Sequence, residues 1–490
     1  MKSSVLSQTM ELKDCRDRWS HNEGYGCWCM EDVLYTSAAT VPEFQRLSIF
    51  VPEAYMNADG TVNEKGQFGP YTAKTVPVVF ENSCGGYLQM PNRRLGESNC
   101  YAQQYLERGF IYVTCGCRGR NSRDENGVFV GKAPMTLVDL KTAIRFLRHN
   151  RAVLPGNWEK IISVGCSAGG AMSSLLAVSG DNAAFDACLE ENGAFPEESD
   201  RVFAAQIYCH IIDLEHADMA YEWMFQADKT CEDSHAGPAE TMTPFQEALS
   251  RILSERYISY FNGMKLQNPV TGETLTLGQD GRSGTGYDYL MACLEASAAK
   301  YLRRLNSAED YLAGKEAWLT WDGEHAHLAS LDTYILHHRR RMKPCTAFDK
   351  LSMDSGENQE FGDAENDYRH FSPDNAAALE ALKERFPTEY VQYFAGYAAV
   401  GENESLMNRV KLINPLSFID NGTESRRAEH YRIRVGACDA DTSFSVSMML
   451  ALKIANAGCG SVDYALVWDR PHCEADYPGE VCDWIDEICR

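Results

Sequence analysis

Residues 161–176 read Ile161-Ile162-Ser163-Val164-Gly165-Cys166-Ser167-Ala168-Gly169-Gly170-Ala171-Met172-Ser173-Ser174-Leu175-Leu176. A short apolar run leads into the motif Gly-x-Ser-x-Gly, and residues of helix-forming composition follow it. A strand, this motif and a helix in that order indicate a nucleophile elbow, a turn so sharp that a Cβ at Gly165 or Gly169 would strike the neighbouring backbone. The strained turn leaves the Ser167 hydroxyl free. An ordinary glycine-rich turn with a buried serine is the alternative, but the motif occurs once and both flanks fit the elbow.

Strand-like and helical segments alternate on the amino-terminal side of this motif. Apolar runs typical of strands occupy residues 44–51, 76–80 and 110–114, and apolar residues at helical spacing occupy residues 102–107 and 137–147. Such alternation predicts a mostly parallel, doubly wound sheet. Together with the elbow it predicts an α/β protein with the α/β-hydrolase fold.

The pattern changes beyond the elbow. From about residue 210 to residue 412, aromatic and charged residues recur at helical spacing and strand-like runs are few. Strand-like and helical segments then resume at residues 431–436, 444–453 and 462–468. We therefore predict a catalytic domain made of residues 1–209 and 413–490, with residues 210–412 inserted as a large, mainly helical lid domain.

A serine hydroxyl is a poor nucleophile at neutral pH, so it needs a general base that a third group orients. In this fold the chain order is serine, acid, histidine. Of the 12 histidines, His472 is the one in the loop directly after the last predicted strand, where the fold places its base. Asp439 follows the preceding strand and its terminal Gly436. Ser167, Asp439 and His472 are therefore predicted to form a catalytic triad.

Asp441 stands two residues beyond the candidate acid and allows two interpretations. It lies at the start of the next helical segment, where an aspartate often caps the helix or occupies its first turn. Alternatively, Asp441 faces the pocket and binds substrate.

The oxyanion that develops during ester cleavage requires two backbone donors. One is the N–H group of Ala168, the residue after the nucleophile, and the other normally comes from a glycine-rich loop after an early strand. The loop that contains Gly85 and Gly86 follows the strand-like run 76–80 and fits this role. A turn that simply needs two glycines is the alternative.

Cys166 and Cys473 each adjoin a candidate catalytic residue. Because those residues must meet in space, the two sulfurs could bond and clamp the elbow to the histidine loop. A reducing cytoplasm argues against the bond, so both possibilities, a disulfide and two free thiols, stay open.

The paired cysteines within residues 27–29 and 115–117 suggest a four-thiolate metal site, but metal motifs more often use Cys-x-x-Cys spacing. We predict neither a metal nor a cofactor.

The composition excludes several classes of partner. The 490 residues include 46 Lys and Arg against 70 Asp and Glu, a net charge of −24 that repels nucleic acid phosphates and acidic membrane surfaces. A small-molecule partner is expected.

No apolar run approaches a membrane span in length, and residues 1–8 lack the apolar core of a signal peptide. We expect a cytoplasmic protein, with a surface or secreted location as the alternative.

From about residue 40 onward the chain resembles the bacterial tannase and feruloyl esterase group, which are α/β-hydrolases with a large lid. The resemblance is strongest at residues 165–170, 436–441 and 471–472. Cys166-Ser167, Asp439 and His472-Cys473 also match the CS-D-HC pattern of the fungal tannase and feruloyl esterase family. The resemblance implies a serine esterase that hydrolyses galloyl esters of gallotannins and simple gallate esters, without a cofactor. A feruloyl or other aromatic-acid esterase with the same triad is the alternative.

The same resemblance implies a set of substrate contacts. Members of the group hold the galloyl hydroxyls with a lysine and a glutamate of the lid and an aspartate near the catalytic acid. Those roles fall here on Lys343, Glu357 and Asp441, and Glu360 competes for the glutamate role. A solvated ion pair on the lid surface is the alternative for Lys343 and Glu357. The expected partner is a small phenolic ester, and the oligomeric state stays open.

Overall fold

A nine-stranded sheet forms the centre of the chain in the computed structural model, which describes residues 10–14, 16–97, 100–231, 239–420 and 424–490. Its strands are β1 (Ser20–Asn22), β2 (Cys27–Leu34), β3 (Arg46–Pro52), β4 (Val78–Asn82), β5 (Ile111–Cys115), β6 (Ile161–Cys166), β7 (Ala204–Tyr208), β8 (His430–Gly436) and β9 (Ser461–Val467). Their spatial order is β1-β2-β3-β5-β4-β6-β7-β8-β9. Residues 1–8, on which the expected location depends, lie outside the described residues.

The sheet is antiparallel at one edge and parallel through the rest of its width. The pairs β1–β2, β2–β3 and β3–β5 are antiparallel, and every pair from β5 to β9 is parallel. All residues of β4 and β5 are buried. Parallel strands covered on both faces read as continuous apolar runs, which is why the sequence pattern identified them. The predicted mostly parallel, doubly wound sheet is confirmed.

Helices connect and cover these strands. They are α1 (Ala102–Leu106), α2 (Met135–His149), α3 (Ala168–Val178), α4 (Asp186–Glu191), α5 (Leu214–Met224), α6 (Pro244–Gly263), α7 (Thr285–Leu302), α8 (Ala308–Leu312), α9 (Leu331–His337), α10 (Gly356–Glu360), α11 (Pro373–Leu382), α12 (Pro387–Tyr397), α13 (Glu404–Leu412), α14 (Phe444–Asn456) and α15 (Glu480–Cys489). Within the described ranges, none of these helices combines the length and the apolar character that a membrane crossing requires.

Between β7 and β8 the chain leaves the sheet for a mainly helical insertion. The insertion contains α5 to α13 and two short hairpins, one formed by Thr230–Cys231 and Glu240–Thr241 and the other by Leu319–Trp321 and Ala326–Leu328. Helix α5 packs against α6 within the insertion and against α14 beside the sheet. The boundaries of the lid at residues 210 and 412 stay a prediction.

Strands β1 and β2 do not stand out in the sequence. The register of β2 against β3 shifts between Met30 and Val33, and Asp32 within this bulge has a positive φ of 56°. A bulge inserts an extra residue and interrupts the two-residue alternation that identifies a strand. The charged residues in the middle of β2 therefore resemble a loop when only the sequence pattern is considered.

The elbow between β6 and α3 is packed so tightly that its two glycines are required. A Cβ on Gly165 would lie 2.2 Å from the carbonyl oxygen of Gly169, and a Cβ on Gly169 would lie 2.6 Å from Oδ1 of Asn82. Both distances are far below van der Waals contact, and the first involves backbone, which cannot rotate away. The absence of a side chain at these positions lets β6 and α3 meet at a right-angled turn.

We expect Gly165→Ala to lower the free energy of unfolding by at least about 1–3 kcal/mol, the usual cost of inserting a methyl group into a packed interior. Gly263→Ala is the matched control, because a Cβ there has nothing within 4 Å. At that helical position alanine is expected to be neutral or to stabilise by up to about 1 kcal/mol. Urea unfolding measures both changes, and equal stability of the two variants would show that the elbow has room for a side chain.

Candidate active site

Ser167 lies at the carboxyl edge of the sheet, between β6 and α3. Its backbone has φ 60° and ψ −124°, a conformation that a residue with a side chain keeps only when the surrounding structure holds it. The N–H group of Ser167 donates to the carbonyl oxygen of Tyr208, at the end of the neighbouring strand β7, over 3.1 Å. Ser167 remains partly exposed. The turn therefore leaves the serine accessible rather than buried in the core.

Asn82, the last residue of β4, holds this turn in place. Its Nδ2 atom lies 3.1 Å from the carbonyl oxygen of Val164, 3.0 Å from that of Gly169 and 3.0 Å from Oγ of Ser173. These acceptors lie on both sides of the nucleophile, so one side-chain amide ties the strand to the helix. The sequence analysis does not identify Asn82, because its role depends on contacts with residues distant in the chain.

The candidate acid and base are hydrogen-bonded to each other. Nδ1 of His472 lies 2.8 Å from Oδ2 of Asp439. The Asp439 side chain is fully buried, whereas 26% of the His472 side chain is exposed. An ionised carboxylate can only accept hydrogen bonds, so Nδ1 carries the proton and donates it. Nε2 of the neutral ring is then left to take a proton from a hydroxyl group.

The acid loop (residues 437–441) packs directly against the histidine loop (residues 468–473). The N–H group of Cys438 donates to the carbonyl oxygen of Arg470 over 2.9 Å. A Cβ on Gly436 would lie 2.2 Å from the same carbonyl oxygen. The glycine that ends β8 thus allows the two loops to approach closely enough for the acid to reach the imidazole.

The charges around His472 set its protonation. Burial lowers the pKa of His472, and the charge of Lys343 lowers it further. The hydrogen bond and charge of Asp439, together with the charge of Asp441, raise it by more, so the pKa lies above its usual 6.5. Burial raises the pKa of Asp439, but the hydrogen bond and charge of His472 and the charge of Arg339 bring it below its usual 3.8. An imidazole that accepts a proton readily thus lies beside a carboxylate that stays ionised.

A disulfide joins Cys166 to Cys473, whose Cα atoms are 5.6 Å apart. Because each cysteine is adjacent in the chain to a triad candidate, the bond brings Ser167 and His472 together. A ring nitrogen of His472 lies within 4.8 Å of both bonded sulfurs. No hydrogen bond between the Ser167 hydroxyl and the His472 ring is present in the described part of the chain. Such bonds are often long in enzymes until substrate binds.

The loop that contains Gly85 and Gly86 follows β4 and lies close to the elbow. The hydroxyl of Tyr87 in this loop donates to the carbonyl oxygen of Ile211 over 2.7 Å, and the N–H group of Ile211 in turn reaches the carbonyl oxygen of the nucleophile at 3.4 Å. Among the described residues, the N–H groups of Gly86 and Ala168 have no backbone acceptor, whereas Gly85 pairs with Leu88 in an isolated antiparallel bridge. The role of Ala168 with Gly85 or Gly86 as an oxyanion hole stays a prediction.

Asp441 faces the base. Its Oδ2 atom lies 3.5 Å from Nδ1 of His472, and its Oδ1 atom lies 3.8 Å from Nζ of Lys343. The following helix, α14, is capped by Ser443, whose side chain accepts from the N–H group of Ser445. Asp441 is therefore not a helix cap, and it brings the lid residue Lys343 to the rim of the triad.

The two candidate glutamates have different surroundings. Glu357 lies in the first turn of α10 and is partly exposed. Glu360 is fully buried, neither of its carboxylate oxygens has a hydrogen-bond partner among the described residues, and burial raises its pKa well above 4.5. Burial raises the pKa of Tyr87 in the glycine loop, and the charges of Glu360 and Glu357 raise it further. Both glutamates therefore lie near this loop. Only Glu357 can be reached by a ligand, which favours it over Glu360.

Two buried residues that no sequence pattern reveals also act on the candidate acid. The sulfur of Cys209 lies within 4.8 Å of the Asp439 carboxylate and accepts from the N–H group of Cys473 at 3.4 Å. Arg339 enters from the insertion, and its charge helps to lower the pKa of Asp439. Arg339 belongs to a run of basic residues that resembles a solvated surface in the sequence, so the pattern gives no sign of its burial.

Comparisons with known proteins show what this chain is similar to. A protein-family model described as BD-FAE matches residues 69–240, a span that includes the glycine loop and the elbow. No curated protein sequence matches the chain significantly.

Several solved structures match the chain over nearly its whole length. The native tannin acyl hydrolase of Lactobacillus plantarum is 33% identical with a TM-score of 0.81, and the match covers 95% of this chain and 94% of that chain. A tannin acyl hydrolase in complex with ethyl gallate is 33% identical with a TM-score of 0.82, covering 96% of each chain. The Fusobacterium nucleatum tannase is 29% identical with a TM-score of 0.80, covering 96% of this chain and 97% of that chain.

Two substitutions are expected to move the pKa of His472 in opposite directions. Asp441→Asn removes an anion that favours the protonated ring, so the pKa falls. Lys343→Met removes a cation that opposes protonation, so the pKa rises. NMR titration of the His472 ring protons measures both shifts directly. A pKa that moves the same way in both variants would show that the pair formed by Asp441 and Lys343 does not act on the imidazole.

Removal of the disulfide is expected to weaken both stability and activity. The bond spans a sequence separation of 307 residues. In the chain-entropy account, its loss in the double variant Cys166→Ser/Cys473→Ser costs about 5–6 kcal/mol of unfolding free energy. Esterase activity falls as well, because the elbow and the histidine loop lose their covalent link. Cys293→Ser, at a free and partly exposed cysteine, is the control. Free thiols at Cys166 and Cys473 in non-reduced peptides of the native protein would contradict the assignment.

Proposed function

The chain belongs to the bacterial tannase and feruloyl esterase group of α/β-hydrolases, and from this premise we propose that it cleaves galloyl esters. It is a carboxylic ester hydrolase that acts on aromatic esters. The proposed substrates are simple gallate esters and the galloyl ester bonds of gallotannins, and the proposed intermediate is an acyl-enzyme on Ser167. The observation that carries this proposal is the pair formed by Lys343 and Asp441, which lies against the candidate base.

In the proposed first step, Oγ of Ser167 attacks the ester carbonyl carbon while Nε2 of His472 takes the hydroxyl proton. The carbonyl electron pair moves to oxygen, and the N–H groups of Ala168 and of Gly85 or Gly86 stabilise the negative charge. When the tetrahedral intermediate collapses, the bond to the alcohol oxygen breaks. The alcohol leaves with the proton from Nε2, and the galloyl group stays bound to Oγ.

In the second step, water attacks the acyl carbon and His472 takes one of its protons. Collapse of this intermediate breaks the bond to Oγ, and the imidazole returns the proton to Ser167, so the enzyme is regenerated and gallate is released. Asp439 holds the ring in the tautomer with the proton on Nδ1 and stabilises the imidazolium in both steps. The net charge of −24 favours the departure of an anionic product.

The galloyl ring carries three adjacent hydroxyls, and the cleft offers charged partners for them. The ammonium group of Lys343 lies 4.2 Å from the centroid of the Phe348 ring, so it is held beside an aromatic surface. In our proposal Lys343, Asp441 and Glu357 each bind a galloyl hydroxyl. Hydrogen bonds to charged groups are stronger than neutral ones and contribute about 1.5–3 kcal/mol each. The ethyl gallate bound by a relative that is 33% identical supports this choice of ligand.

A feruloyl esterase is the second candidate, and the match to the BD-FAE model over residues 69–240 favours it. That span contains the elbow, which esterases of both kinds need, and ends before Lys343 and Glu357. The residues that distinguish the two substrates therefore lie outside the matched span. A ferulate ester carries a methoxy group and one hydroxyl in place of three hydroxyls, so it leaves charged groups of the cleft without partners, which is costly.

We expect kcat/KM to be higher for methyl gallate than for either methyl 4-hydroxybenzoate or methyl ferulate. Lys343→Met and Glu357→Gln are each expected to lower kcat/KM for methyl gallate by about 10- to 150-fold, the equivalent of one charged hydrogen bond. The same variants should change kcat/KM for methyl 4-hydroxybenzoate much less, because that substrate has fewer hydroxyls for these side chains to bind. Steady-state kinetics with the three esters measures these ratios.

Two further variants serve as controls. Ser167→Ala should hydrolyse none of the esters while its circular dichroism stays that of the wild type. Glu360→Gln should leave the preference among the three esters unchanged, because Glu360 is buried away from ligands. A preference for methyl ferulate over methyl gallate would overturn the galloyl assignment and favour the second candidate.

A further inference from the structure

Three side chains that can ligate a metal meet beside the catalytic loops. Cys438 of the acid loop, His338 after α9 and Asp469 of the histidine loop each present one ligand atom, and these atoms all lie within 4.8 Å of one another. The Cys438 sulfur is 3.3 Å from Nε2 of His338. The proposed reaction uses none of the three residues, so the cluster requires a separate explanation.

The spacing of the cluster suits a tetrahedral zinc ion. With bonds of about 2.0–2.3 Å, the ligand atoms of such an ion lie roughly 3.3–3.6 Å apart. The sulfur and the imidazole nitrogen are already 3.3 Å apart. The carboxylate has to approach by no more than about 1.5 Å to reach the spacing of a tetrahedral site.

Neighbouring groups orient two of the three side chains. The hydroxyl of Tyr301 donates to Oδ2 of Asp469 over 2.8 Å, which leaves the other carboxylate oxygen for a ligand. The His338 ring stacks on Trp468, with ring centroids 5.0 Å apart and planes inclined by 12°. A hydrogen bond to a carboxylate, like that of Tyr301 to Asp469, is typical of ligating carboxylates at metal sites. Asp469 is exposed and His338 and Cys438 are partly exposed, so an ion can enter.

We propose that Cys438, His338 and Asp469 form a binding site for one zinc ion, with a fourth coordination position open to solvent. Thiolate, imidazole and carboxylate are the ligand types that zinc takes in proteins, and three protein ligands plus an open position are a common arrangement.

A bound ion would join three segments that carry the active site. Cys438 is adjacent to Asp439, Asp469 lies in the same loop as His472, and His338 belongs to the insertion. The ion would thus restrain the lid relative to both catalytic loops. Two other clusters of possible ligands include His472, one with the bonded sulfurs of Cys166 and Cys473 and one with Asp439. A test has to separate the proposed site from metal binding at His472.

The metal-free protein with its disulfide intact is titrated with Zn²⁺ in a calorimeter. We expect one zinc ion per chain. Cys438→Ser and His338→Gln should each weaken zinc binding by at least about 100-fold, because even the loss of a group that only supports a ligand weakens binding by about 10- to 100-fold. Asp469→Asn should weaken binding by at least about tenfold. His337→Gln, at the exposed neighbouring histidine, and Cys293→Ser, at a free cysteine outside the cluster, should leave the affinity unchanged.

Titration of the wild-type protein with Co²⁺ provides a measurement that does not depend on the variants. Cobalt bound to a thiolate shows strong charge-transfer absorption in the near ultraviolet, and we expect this band in the wild type and in Cys293→Ser. Circular dichroism of each metal-free variant confirms that it is folded. A wild-type protein that binds no zinc, a cobalt spectrum without the thiolate band, or an affinity that Cys438→Ser and His338→Gln leave unchanged would each overturn the proposal. None of these outcomes bears on the galloyl esterase proposal.

Discussion

Close contact between backbone segments at the carboxyl edge of the sheet is the constraint on which the active site depends. A Cβ on Gly165 would lie 2.2 Å from the Gly169 carbonyl oxygen, and a Cβ on Gly436 would lie 2.2 Å from the Arg470 carbonyl oxygen. The first contact creates the sharp turn that presents Ser167, and the second lets the acid loop meet the histidine loop. Bulkier residues at these glycines would separate the triad by more than a proton transfer tolerates.

Three kinds of bond hold the segments at this spacing. Backbone hydrogen bonds join the acid and histidine loops, the amide of Asn82 joins the two sides of the elbow, and the disulfide between Cys166 and Cys473 joins the elbow to the histidine loop. Each acts on residues near a triad member rather than on the triad itself. The hydrogen bond between Asp439 and His472 can therefore keep one geometry while substrate binds and leaves.

The insertion does more than cover the cleft. It supplies Arg339, whose charge acts on the buried carboxylate of Asp439, and Lys343, whose charge acts on His472 through its position beside Asp441. The protonation of the triad therefore depends on the lid as well as on the sheet. His338, from the same segment, meets Cys438 of the acid loop. These charges, the proposed substrate contacts of Lys343 and Asp441 and the proposed metal site all lie where the insertion reaches the acid loop.

The sequence by itself determined the elbow, the alternation of strands and helices, and the order of serine, acid and histidine. These are local signals: a glycine spacing, an apolar period, and positions directly after strands. It left open the bond between Cys166 and Cys473 and the choice between Glu357 and Glu360, and it gave no sign of Asn82. The tertiary structure shows the disulfide and the contacts of Asn82, and it buries Glu360 while Glu357 stays partly exposed. Each of these depends on which side chains from distant segments share a buried space, and no local pattern records that.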